Sequence, residues 1–149
     1  MELIQECDHS IHDLSRVQLD RARPRTPRFN MPFELGLAVA LERTAIPGHA
    51  WVVCESQRFR LKKSLTDLDG TDPYIHDGTV HGVLRELGNF LVLRGNQPTL
   101  GEMKKVYRVL RANFRKVLRQ AGATHPFNAR VFRDLCVLAG ATADDLVKT

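Results

Sequence analysis

Two carboxylates in the first third of the chain occupy positions where an acid calls for an explanation. Glu34 lies among Met31, Phe33, Leu35 and Leu37. There a negative charge is costly unless a helix end or a ligand offsets its desolvation. Asp13 stands between His12 and Leu14 in the stretch "SIHDL". A carboxylate that faces a ligand can accept hydroxyl hydrogen bonds or attack an electrophilic carbon. Around these two acids, Asn30, Ser15, Arg16, Arg28, Phe33 and His76 complete a set of substrate-binding candidates. The arginines bring guanidinium forks suited to phosphate, and His76 brings a group able to carry a proton near neutral pH. Each has a plainer reading beside it. Glu34 can complement the positive end of a helix, Asp13 can bind backbone amides in a turn, and a basic loop can be merely solvated.

Other clusters carry less chemistry. Cys7, His9 and His12 invite a metal, but a strand's period of two sends His12 to the face opposite Cys7 and His9, and no second ligand pair follows. No metal site is expected. "DLDGTDPYIHDG" lacks the twelfth-position glutamate and the ligand spacing of a calcium loop, so it reads as a loop over a pocket. Lys104, Lys105, Arg108, Arg111, Arg115, Lys116 and Arg119 share the polar side of a long helix. Such a face can grip a phosphate backbone but reads first as a solvated surface opposite a core stripe, so nucleic acid is not expected as a partner.

The elements that position these groups follow from hydrophobic periodicity. Ser10 to Leu14 alternates as a short strand, and the arginine-rich loop from Ser15 to Arg28 is too long for a simple connection. A helix follows from an Asn30 cap to about Arg43, with Pro32 tolerated in its first turn. Ala50 to Cys54 is a continuous apolar run of the kind buried on both faces of a parallel sheet. Further helices are expected over Phe59 to Leu68, over Thr79 to Leu93 with Val80, Val83, Leu84, Leu87 and Leu91 as core stripe, and over Thr99 to Gln120 closed by Gly122. A last one runs over Ala129 to Ala139, with a separate short piece at Ala143 to Val147.

At 149 residues, 43% hydrophobic and 26% charged, the chain is the size of one globular domain. The reading places an α/β nucleotide-binding-like part at 1–95 and a helical C-terminal extension packed on it at 96–149. No run of about 18 apolar residues and no basic start leading into an apolar stretch is present, so neither a membrane span nor a secretory signal is expected, and the cytoplasm is the default location. The three cysteines, widely spaced and odd in number, read as buried reduced thiols rather than a disulfide frame. The net charge of +5 permits phosphate-bearing partners.

Taken in order, "SIHDLSR", "PRFNMPFELGLAVAL" and "AWVVCES" resemble the aspartate, asparagine and glutamate-leucine-glycine pattern of nucleoside 2-deoxyribosyltransferase-like and TIR-like proteins. Within that superfamily they are closest to an uncharacterised bacterial group. The resemblance covers about residues 3 to 93. It implies a flavodoxin-like (Rossmann-like) parallel sheet and N-glycosidic chemistry on a nucleoside or dinucleotide, with NAD as one substrate and no bound cofactor. It matches Glu34 to the catalytic acid and places Asp13 and Asn30 near the ribose or base. Relatives begin with a further strand and helix, so the sheet is expected to be N-terminally truncated, with an exposed edge through which copies of the chain associate. A non-catalytic nucleotide-sensing or protein-interaction module is the alternative, and a nucleic-acid binder acting through the basic helix is a third reading.

Overall fold

A computed structural model describes residues 6–17, 19, 21, 23–27, 29–44, 49–68, 70–92 and 97–148. The chain divides into two compact units, Met1–Phe90 and Leu91–Thr149.

The first unit is a three-stranded parallel sheet, order β1-β2-β3, with helices between the strands. β1 (His9–Asp13) pairs with β2 (Ala50–Glu55) in the register Ile11 to Val52 and Asp13 to Cys54, and β2 pairs with β3 (Tyr74–Ile75). Both ladders run on past the strand ends, through Leu14 N–H to the Cys54 carbonyl (2.9 Å) and His76 N–H to the Glu55 carbonyl (3.0 Å). As the central strand, β2 is covered on both faces, which is why Val52 and Val53 are both buried and why "AWVV" lacks polar alternation.

The connection from β1 to β2 carries α1 (Asn30–Thr44). Its Leu35 and Ala38 are fully buried. Leu35 joins Leu14, Val53 and Leu61 in the core, with Met31 and Val17 packed against them. Trp51 Nε1 donates to Glu42 Oε2 (2.6 Å), tying the far end of the helix to the start of β2. Asn30 is the first helical residue rather than the cap, and the Phe29 carbonyl accepts the Phe33 N–H.

After β2 the expected single helix is divided into α2 (Arg60–Ser64) and a 3₁₀ turn (Thr66–Leu68). The Ser64 hydroxyl donates back to the Arg60 and Leu61 carbonyls, and Leu65 leaves the helix at φ −133°. The segment expected to be a pocket loop contains β3. α3 (Val80–Phe90) then packs on β3, capped by the Thr79 hydroxyl, which accepts the Gly82 N–H (2.9 Å). Val80 and Val83, expected in its core stripe, are exposed, while Gly82 is the buried residue of the helix and Phe90 meets the rings of His9 and Tyr74 edge-on.

The second unit is a helical pair. α4 (Leu100–Ala121) closes at Gly122 in the left-handed region, as the sequence predicts, and opens with a full capping box between Thr99 and Glu102. α5 (Ala129–Val147) starts at an Asn128 cap and is one continuous helix, not two pieces: Gly140 and the Thr142 hydroxyl, which donates to the Leu138 carbonyl, are absorbed within it. Val117 and Val131 are buried between the two helices. Of the cysteines, Cys7 and Cys136 are exposed and only Cys54 is partly covered, because the first precedes the edge strand and the second lies on the outer side of α5.

Candidate functional site

In a parallel sheet the carboxyl ends of the strands and the starts of the following helices share one rim. Asp13 ends β1 at that rim and leaves its side chain half-exposed. Its Oδ1 accepts the Ser15 backbone N–H at 2.9 Å and meets His76 Nε2 at 3.3 Å. The tautomer of His76 follows from its other nitrogen. The Gly78 N–H donates to Nδ1 (3.0 Å), so the proton of the neutral ring sits on Nε2 and is donated to Asp13. His76 is buried at 4% exposure, with both ring nitrogens engaged. It therefore holds Asp13 in place, and a role as proton carrier would require that pairing to break.

The electrostatics agree with this geometry. Burial opposes ionisation of Asp13, but the Ser15 backbone and hydroxyl hydrogen bonds and His76 outweigh it, so the carboxyl titrates below its ordinary value. Asp13 is thus an anion at neutral pH, suited to accepting hydrogen bonds. Cys54, opposite it on β2, is pushed up to about 11 by burial first and then by the charges of Asp13 and Glu86, so it stays a thiol.

Of the sequence candidates, the structure joins Asp13, Ser15 and His76 by hydrogen bonds. Glu34, Asn30 and Phe33 lie in the first two turns of α1, and Met31 between them packs into the core cluster with Leu14. This brings the beginning of the helix to the rim side of the sheet. Glu34 is half-buried and, among the described residues, makes no hydrogen bond or ion pair. It lies in the second turn of α1 rather than the first, which weakens its reading as a helix-end charge. Phe33 is exposed at 67%, Asn30 and Arg16 are exposed, and Arg28 lies outside the described residues. His9 and His12 fall on opposite faces of β1, with His9 against Phe90 and His12 buried.

Three features of the rim are not apparent from sequence. Glu55, at the end of β2, is buried at 2% exposure, and its oxygens accept from Arg60 Nε (2.7 Å) and the Ser56 N–H (2.6 Å). Arg60 also donates to the Leu14 carbonyl, so one ion pair clamps β1, β2 and α2 together. Second, an open cleft of about 810 Å³ lies beside β3, lined by Arg58, Asp72, Tyr74, Asp77, Arg85 and Glu86 among others. Neither Asp13 nor Glu34 is among its described lining residues, and it adjoins Asp13 through His76, whose neighbours Ile75 and Asp77 line it. Third, two non-glycine residues next to this cleft hold left-handed backbone, Phe59 at φ 65° and Asp77 at φ 53°. Strain of that kind persists only where its surroundings impose it. For Asp77 they are visible: its carboxylate accepts the Thr79 hydroxyl (2.6 Å) and N–H (3.2 Å), fixing the turn that carries His76.

No family model, curated protein or solved structure matches the chain.

Proposed function

We propose that the chain binds a nucleoside or a dinucleotide such as NAD at the carboxyl rim of its sheet and cleaves or transfers the N-glycosidic bond. The observation that carries the reading is Asp13: an ionised, half-exposed carboxylate at a strand's carboxyl end, held from behind by a buried histidine of defined tautomer. A carboxylate so held accepts sugar hydroxyl hydrogen bonds without first having to be ordered. Glu34 supplies the second negative charge. As the bond between the anomeric carbon and the base nitrogen breaks, Glu34 stabilises the developing positive charge or forms the ester bond to that carbon, which water or an incoming base then displaces. Asn30 and Arg16 orient the sugar and its phosphate, the buried Ser15 acts through its hydrogen bonds to Asp13, and the cleft beside β3, with Tyr74 and Arg58, accommodates the remainder of the ligand.

The test is incubation of the full chain with NAD and a panel of deoxynucleosides, followed by chromatography for released base. Release from at least one of them supports the proposal. Saturable ligand binding without release favours the alternative, a nucleotide-sensing module. Neither binding nor release overturns both.

A further inference from the structure

The second unit carries a feature the rim chemistry does not use. α4 bears seven cations and a single acid, Glu102, which is consumed by the capping box with Thr99. Lys105, Arg108, Arg111, Arg115, Lys116 and Arg119 are all exposed, and their spacing puts them with Lys104 on one side of the helix. From Lys104 to Arg119 the stripe is about 22 Å long at 1.5 Å per residue. Among the described residues none of these cations is paired with a carboxylate. A face that is only solvated ordinarily mixes both signs, since neighbouring like charges repel.

The opposite side of α4 decides what kind of polyanion fits. Val117 is buried, and Met103, Val106, Leu110 and Phe114 are partly covered, in a helix packed along α5. On α4 itself the described large apolar residues are buried or partly covered, so binding through its cationic face is electrostatic. Four of the seven cations are arginines, whose planar forks match phosphate oxygens better than isolated carboxylates on a flexible peptide. Just past the end of the stripe, Phe127 is exposed at 90% in the connection to α5, beside exposed His125 and Arg130. An open aromatic ring next to a cationic track is the combination that takes up unstacked bases.

We infer that α4 and the Phe127 turn form a docking surface for single-stranded nucleic acid, with the arginine stripe on the phosphates and Phe127 stacking on a base. The surface belongs to the second unit and is independent of the proposed glycosidic chemistry.

The experiment is fluorescence anisotropy of the full chain with a labelled 20-nucleotide thymidine strand and a mixed-sequence duplex, each titrated from 50 to 300 mM salt. The expected result is tighter binding of the single strand, with log affinity falling linearly in log salt at a slope of about −3 to −4 for five phosphate contacts. Replacing Arg108, Arg111 and Arg115 together by Gln reduces the steepness by about two and the affinity at least about tenfold, whereas the triple Lys variant keeps the slope. Phe127→Ala weakens single-strand binding without changing the slope. Circular dichroism confirms that each variant remains helical. No binding at 50 mM salt, affinity unchanged in the Gln variant, tighter binding of the duplex, or equal binding of anionic lipid vesicles overturns the inference.

Discussion

Asp13 is positioned from three directions, and each contact has a measurable consequence. Its folded-state titration lies below the ordinary carboxylate value of 3.8. An acid depressed in this way keeps its full contribution above the unfolded value and loses it as pH falls through the folded one. Ligand binding that depends on the Asp13 anion is therefore expected to hold from neutral pH through the ordinary carboxylate value of 3.8 and to weaken only below it, with the Asp13→Asn variant weak at every pH; isothermal titration across that range checks this. Gly82 is the second residue whose identity is dictated. A Cβ built there would stand 1.9 Å from the His76 carbonyl oxygen and 2.5 Å from Asp77 Oδ1. Gly82→Ala must push α3 away from the turn that aims His76 at Asp13, at a cost of about 1 to 3 kcal/mol in chemical unfolding. Asp13 and Glu34 were legible in the sequence because a strand end and an apolar neighbourhood single out an acid. Gly82 and Glu55 were not, since nothing local separates a glycine under a carbonyl or a glutamate under an arginine from ordinary helix and strand-end residues.

Among the elements, β1 and β2 are joined at both ends by polar devices that replace apolar packing. At the rim, the Glu55–Arg60 pair is buried on its acidic side. Removing one partner leaves the other uncompensated, so Arg60→Met is expected to cost about 3 to 5 kcal/mol. At the opposite end, His12 Nε2 lies 3.0 Å from the Ser10 hydroxyl, which lies 3.0 Å from His49 Nε2, and His49 Nδ1 donates to the Cys7 carbonyl at 2.7 Å. With both rings neutral the donors run in one direction, from His12 through Ser10 and His49 to the carbonyl, and among the described residues only His12 Nδ1 is buried without a partner. Protonating that nitrogen would place a charge in the interior, and burial, followed by the neighbouring His49, lowers the His12 titration below 6.5. Unfolded His12 accepts a proton below about 6.5 and folded His12 resists it, so stability is complete above that value and declines as pH falls beneath it. Urea midpoints at pH 7.5 and 5.5 are expected to differ in the wild type and to converge in His12→Asn. The strong helices and both long strands were visible in the sequence through their periods and caps. β3 was not, because two residues carry no period, and the unbroken α5 was not, because Gly140 and Thr142 look like a boundary until packing along α4 overrides them.

For the whole molecule, the three-stranded parallel sheet places the protein among α/β folds, and no described helix is long and apolar enough to cross a membrane. Among the described residues β1 is an edge strand, with Ile11 at 42% exposure on its face. An unpaired parallel edge is a template for another chain, so concentration-dependent association is expected in sedimentation velocity and a single monomer at all concentrations would contradict it. The division into two units predicts that the Arg108, Arg111 and Arg115 to Gln variant loses nucleic-acid binding and retains base release unchanged. The central claim rests on the rim, where a carboxylate is expected to meet developing positive charge. The measurement that reaches it most directly is base release by the wild type and by Glu34→Gln at matched folded concentration. The account predicts release by the wild type and a loss of at least about 100-fold in the variant, with unfolding unchanged within about 1 kcal/mol. Equal rates in the two proteins would contradict it.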